Sequence, residues 1–405
     1  MKKLMMMAIV MVATSTVFAG DSDALKAILK SKTYADAEQL LKSSLDQLTS
    51  NEEKAKAYNK LVELALARVS KVQEVVAENE RAKLLKQELA PVDSIGLADA
   101  LCDALNAAVK CDEYDRQPNA KGQVKPKFAD TNNERLWGLR GWLINVGQAE
   151  SQKHNNDALL KYWGAFLDSD GAEIFAKQDK EAEKGYIGQV GYYAGAMALE
   201  KKQMERANRY LEYALKDETM KKDAMNMQIG AMKSALKTKE DTLAFIKNMQ
   251  ARYEKDEDND VIFSAICEMY EGMKNKEAQS KMIEDRLAKN PKSFVALANK
   301  GMMALNDNKS DEAIKYLKEA KAVNPENPVV LTYLGICLSY NAENVDDKDQ
   351  RTALYQEAIE NFDKAKAADP DMRLIRWAPN RAQAYYALYG PDDPKTKAAE
   401  ADRDK

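Results

Sequence analysis

Between positions 294 and 325 the apolar and small residues fall at helical spacing twice over. Leu297, Gly301, Ala304 and Leu305 share one face of a first helix, and Ala313, Leu317 and Ala320 share one face of a second. The polar run 306–310 reads as the turn between them, with Ser310 and Asp311 as candidate N-caps for the second helix. Pro325 closes the unit, because proline cannot continue a helix and turns Asn324 away from helical geometry. Gly301 and Ala313 are small enough for the two antiparallel helices to approach closely. One such hairpin cannot bury its own apolar face, so the pattern predicts stacked neighbours.

The neighbours stand at a fixed offset. Phe263, Leu297 and Leu331 are 34 apart, as are Cys267, Gly301 and Gly335, and the prolines Pro291 and Pro325. Ile229 lies 34 before Phe263, and Met249, Ile283 and Leu317 keep the same interval. A period of 34 carrying this small, large and proline pattern resembles the tetratricopeptide repeat (TPR) family. That resemblance implies an all-α, right-handed TPR-type α-solenoid of helical hairpins. It also implies a concave groove lined by positions two, five, nine and twelve of each first helix. On this sequence those positions are Val295, Ala298, Met302 and Leu305 in one repeat and Val329, Thr332, Ile336 and Ser339 in the next. The preceding repeat offers Val261, Ser264, Glu268 and Glu271, and earlier ones offer Tyr192 and Trp142. The basic and Asn residues with which chaperone-binding members clamp a peptide carboxylate are missing from these positions.

The remaining chain divides around this array. Residues 20–115 form an irregular helical N-terminal region. Within it, 52–90 run without Gly or Pro, which fits either one long helix or a hairpin turning near 78–80. Residues 116–133, with Pro118, Gly122, Pro126 and three lysines, read as a linker loop. The array is expected over 134–372. Its first unit fits Trp137, Gly141, Ile144, Ala158, Tyr162 and Ala165 only if the turn after it is lengthened by five residues. The last repeat needs 11 extra residues, about 341–351, which read as a lengthened turn. Residues 373–405 read as an aromatic capping helix, with Trp377, Tyr385, Tyr386 and Tyr389, followed by a polar tail.

Composition narrows the function. Lys2 and Lys3, the short apolar run 4–12 and the small-residue pattern at Val17 and Ala19 predict a signal peptide over 1–19, cleaved before Gly20. No later stretch is apolar enough to span a membrane. The whole chain has a net charge of −4 and no basic stripe, which excludes an electrostatic footprint for nucleic acid. Cys102 and Cys111, nine apart, would lie about 13 Å apart along one helix and can pair only if that helix ends between them. No CxxC is present and the single histidine, His154, falls in a polar turn, so neither a metal site nor a cofactor is expected. Nucleophile-elbow, P-loop, dinucleotide and zinc-protease motifs are missing. These features together predict a non-enzymatic exported scaffold that binds a protein or peptide through its concave face. A glycan- or nutrient-binding module, prompted by Trp137, Trp142, Trp163 and the tyrosines, is the second reading. A hydrolase using some of the many carboxylates ranks last.

Three stretches resemble a narrower group, the exported TPR proteins of the Bacteroidota: AMNMQIGAMKSALKTKEDTLAFIKNM, VVLTYLGICLSYNAENVDDKDQRTALYQEAIENFDKAKAADP and AYYALYGPDDPKT. This likeness implies residence in the periplasm or at the outer envelope. It carries no substrate and no catalytic residue.

Overall fold

A computed structural model describes residues 21–119 and 122–403. The expected export signal at 1–19 lies outside these residues. Among the described residues the chain is helical, with no strand, and it forms two compact units that meet in sequence between Ala231 and Met232.

The first unit opens with α1 (Asp23–Lys30) and α2 (Tyr34–Ser44), each started by a hydroxyl cap, Ser22 and Thr33. Then α3 (Asn51–Leu84) runs as one continuous helix, which decides between the two readings of that stretch. It packs antiparallel against α4 (Ser94–Asp115), whose inner face is Ala98, Leu101, Ala104, Leu105 and Ala108. Alanines at this spacing bring the helix backbones together, so the pair supports its length by mutual burial. The return is fixed by Asn79, whose amide donates to the Ala90 carbonyl (2.7 Å) and accepts from its N–H (2.8 Å). Because α4 is unbroken, Cys102 and Cys111 stay apart, and both are buried free thiols.

Next come α5 (Ala129–Leu136), α6 (Gly141–Gln152), α7 (Asn156–Asp170), α8 (Lys184–Glu200), α9 (Met204–Ala214) and α10 (Lys221–Ser234), the last of which reaches the unit boundary. Helices α6 and α7 form one hairpin, α8 and α9 the next. A Cβ on Gly147 would lie 2.3 Å from the Trp163 ring, and one on Gly195 would lie 2.8 Å from Leu211. Both pairs are 16 apart in sequence. The first hairpin therefore keeps the ordinary frame with Gly147 in the small position. The expected frame at Gly141, with its lengthened turn, is corrected by six residues.

The second unit holds α11 (Lys239–Tyr253), α12 (Asp260–Gly272), α13 (Lys276–Lys289), α14 (Phe294–Asn306), α15 (Ser310–Val323), α16 (Pro328–Glu343), α17 (Lys348–Ala368), α18 (Ala378–Tyr389) and α19 (Pro394–Arg403). Gly301 meets Leu317 and Gly335 meets the Phe362 ring, both at 2.7 Å from an added Cβ, while Cys267 and Ile283 share a buried cluster. The same small-against-large contact thus recurs in the hairpins α12–α13, α14–α15 and α16–α17, whereas α10 carries Lys233 where the small residue of the 34-residue frame would stand. Ser310 is the first residue of α15 rather than its cap, and its buried hydroxyl donates to the Cys337 carbonyl (3.3 Å). The extra residues of the last repeat mostly lengthen α16 and α17, leaving a turn of four residues, 344–347. Beyond it, α18 does not end the unit alone. Helix α19 packs against it, buries Thr396, Ala399 and Asp402, and makes a further hairpin where a polar tail was expected.

Four hairpin turns are built alike. His154, Lys202, Lys274 and Asn308 have φ near +57° and each follows the end of a first helix. The next N–H in each case closes a six-residue loop onto the helix, as Lys309 N does onto the Ala304 carbonyl (2.9 Å) and Asn155 N onto the Glu150 carbonyl (3.0 Å). His154 is a turn residue in a left-handed conformation, which accounts for its place in the chain without chemistry.

Candidate functional site

In the second unit the first helices α12, α14, α16 and α18 touch one another in succession, forming an inner layer. Asn306 on α14 donates to Glu271 on α12 (2.9 Å), and Gln383 on α18 donates to Glu343 on α16 (3.4 Å). Three of its four helices are nearly free of charge in a chain that is 31% charged: α14, α16 and α18 carry one charged residue each, Lys300, Glu343 and Arg381, while α12 carries Asp260, Glu268 and Glu271. By contrast α15 alone carries Asp311, Glu312, Lys315, Lys318, Glu319 and Lys321. From α14 onward alternate helices divide the work, the second helices solvating the unit and the first presenting apolar surface.

Of the expected groove residues, Val295, Met302, Leu305, Val329, Ile336 and Ser339 are half-buried. Ala298 is only 7% exposed and Thr332 1%, the Thr332 hydroxyl being bonded to the Pro328 carbonyl of its own helix (2.7 Å), so these two offer nothing to a ligand. Tyr192 is half-buried on α8 in the first unit, edge-on to Tyr193. Trp142 leaves the groove set: with the frame at Gly147 it falls at position three of its repeat, and it packs against the core of the first unit. Trp163 is buried with its indole N–H on the Ile144 carbonyl (3.0 Å), and Trp137 lies against Phe175 and the Arg140 guanidinium. The tryptophans that suggested stacking on sugars are packing residues. As surface residues, sequence reasoning missed Tyr340, Tyr386 and Tyr389, exposed on α16 and α18, and the exposed apolar tip of the α3–α4 pair, Leu84, Leu85, Leu89, Val92 and Ile95.

Several polar clusters are structural. Arg140 is fully buried, paired with Asp170 and Glu183 (3.3 Å each), bonded to the Ser169 hydroxyl (3.0 Å) and flanked by the rings of Trp137, Phe166 and Phe175. In the second unit Arg286 reaches back to the Tyr253 hydroxyl, the Glu257 and Asp258 carbonyls and the Asp260 carboxylate, fastening the turn before α12. Burial pushes the thiols up, Cys102 and Cys267 to about 12 and Cys337 to about 11, which keeps them protonated and unreactive. Among the described residues no group of His, Cys, Asp and Glu is arranged to hold a metal, and no helix is long and apolar enough to cross a membrane.

The recurring hairpin frame defines an all-α protein of TPR type. No family model and no curated protein matches the chain. Solved structures similar to it include a thermophilic TPR protein from Thermus thermophilus, at 16% identity over 50% of this chain and 98% of that one, with a TM-score of 0.33. Another, a TPR protein from Parabacteroides merdae, is 10% identical over 66% of this chain and 99% of that one, with a TM-score of 0.36. YrrB, described as a TPR protein with an unusual peptide-binding site, is 15% identical over 57% of this chain and 86% of that one, with a TM-score of 0.23. At these values none of them assigns a function, and the repeat class rests on the hairpins of this chain.

Proposed function

We propose that this protein is a non-enzymatic scaffold that binds a protein or peptide across the first-helix layer of its second unit. The observation that carries the reading is the segregation of charge, which leaves α14, α16 and α18 with one charged residue each beside heavily charged second helices. A layer needed only for solubility has no reason to shed charge, whereas one that docks an apolar segment does. Val295, Met302, Leu305, Val329, Ile336 and Ser339 form the contact surface, and Tyr340 and Tyr386 extend it with large amphipathic rings. The amino-terminal pattern at 1–19 and the likeness to exported proteins of the Bacteroidota support action in the periplasm or at the outer envelope. The buried, protonated cysteines and the structural roles of His154 and Arg140 support the absence of catalysis.

The test is crosslinking in cells from a photoreactive residue at position 302, with the exposed Lys281 position on α13 as control. A defined polypeptide captured from 302 and not from 281 is the expected result. Capture of internal peptides only, or the same products from both positions, would overturn the reading.

A further inference from the structure

The first unit has an open cleft of about 380 Å³ between α4, α7 and the start of α9, lined by none of the residues used so far for binding. Its floor is apolar: Cys102 and Leu160 are buried and Ala165 half-buried. Its walls carry charge of both signs in equal number, Asp103, Asp157 and Asp168 against Lys161, Lys201 and Arg206, together with the side-chain amides of Asn106 and Gln203.

The pairing within these walls decides what the cleft accepts. Asp103 is held by Arg68 (2.6 Å) and Lys161 by Asp99 (2.6 Å), both partners lying outside the lining. Each is therefore held by a residue that does not line the cleft and keeps hydrogen-bonding capacity to spare, since a carboxylate accepts at two oxygens and an ammonium donates three protons. Arg206 is oriented by Asp168 (3.2 Å) and by the Tyr210 hydroxyl at Gly164. The Asn106 amide has no partner among the described residues, and the Gln203 oxygen takes only a long bond from Arg206 (3.4 Å), its NH₂ being without a partner among the described residues. The other four charges form two pairs within the lining, Lys201 with Asp157 and Arg206 with Asp168, so the cleft carries no net charge and favours a dipolar ligand over a singly charged one. Two such amides match the donor and acceptor of a peptide group, and the apolar floor suits a side chain. The volume lies in the range of small-ligand sites, roughly 300–1,000 Å³, and is large for a single amino acid.

We infer that this cleft binds a short peptide of two or three residues with free termini, its ammonium toward Asp103 and its carboxylate toward Lys161 and Arg206. The site is independent of the first-helix layer of the second unit. A chain able to hold both would carry a small-peptide sensor in its first unit and a docking surface in its second.

Calorimetric titration of the full chain tests this with trialanine and trileucine, each with free ends, amino-acetylated and carboxy-amidated, and with maltotriose as an uncharged ligand of similar size. The expected result is saturable binding of at least one free peptide, a loss of about tenfold or more on blocking either end, and no binding of maltotriose. Asp103→Asn should weaken the free peptide and leave the acetylated one unchanged, and Lys161→Gln should do the same for the amidated one. Both side chains are partly exposed, and circular dichroism identifies a variant that has unfolded, in which case Asn106→Ala replaces it. Heat from neither free peptide, equal binding of the blocked peptides, or binding of maltotriose would overturn the assignment. The crosslink at position 302 reads a different surface, so the two proposals fail separately.

Discussion

Gly335 illustrates how a single residue sets the repeat. The Phe362 ring occupies the space where its Cβ would stand, at 2.7 to 2.9 Å, and a ring packed between helices cannot retreat without moving its own helix. Elsewhere a mid-helix glycine costs about 1 kcal/mol relative to alanine, and Gly230, with open space around its missing Cβ, is such a case. The same substitution should therefore have opposite signs at the two sites. Gly335→Ala should lower stability by about 1–3 kcal/mol through overpacking, and Gly230→Ala should raise it by up to about 1 kcal/mol. Urea denaturation of the two variants checks this, and a stabilised Gly335→Ala would mean that the two helices are not in close contact. The turn residues were less legible than the glycines. Positive φ at His154, Lys202 and Lys274 leaves no mark in residues of these types, and only the coincidence of their positions, seven past each small residue, reveals the rule.

At the scale of an element, the connection from α17 to α18 shows how a turn can be held by one carboxylate. Asp369 accepts from the N–H groups of Arg373 (2.8 Å), Leu374 (2.9 Å) and Ile375 (3.1 Å), and its carbonyl accepts from the Trp377 indole (2.7 Å). Burial alone would raise its pKa, but the backbone donors, with help from the Arg373 charge, outweigh burial and hold it below the ordinary value. A depressed acid stabilises the fold above its unfolded pKa, near 4 for aspartate, and that contribution vanishes as pH falls through the depressed value. Asp369→Asn should thus melt below the wild type at pH 7, with the gap closing as pH falls below about 4. Thermal melts at pH 7, 5 and 3 provide the measurement, and a gap independent of pH would assign the effect to shape rather than charge. The element that sequence reading missed, α19, failed for a related reason. Its buried Asp402 is paired with Lys366 (2.6 Å) and Arg381 (3.0 Å), and a charged residue satisfied by partners 36 and 21 positions away looks like solvated tail when only its neighbours are visible.

At the scale of the whole molecule, the repeat class was legible because the packing contact and the sequence period are the same fact. Cys267 with Ile283, Gly301 with Leu317, and Gly335 with Phe362 are small-large pairs in three successive hairpins. The frame of the first hairpin was not, because Gly141 and Gly147 both fit a small position and only the ring of Trp163 chooses between them. The groove was legible as a list of positions but not as a surface, since neighbouring first helices bury Ala298 and Thr332 while leaving Met302 and Ile336 partly open. A stack whose hairpins contact mainly their neighbours also predicts how damage spreads. Leu317 is fully buried against Gly301, so Leu317→Ala opens a cavity at a cost of about 2–5 kcal/mol. The loss should be steepest in the hairpin itself, α14 and α15, weaker in α12, α13, α16 and α17, and absent from α3 and α4, which belong to the other unit. Hydrogen exchange read by mass spectrometry resolves these segments. Uniform loss of protection across both units would mean that the chain unfolds as a single cooperative body, and the stacking argument from its period would then describe its geometry but not its energetics.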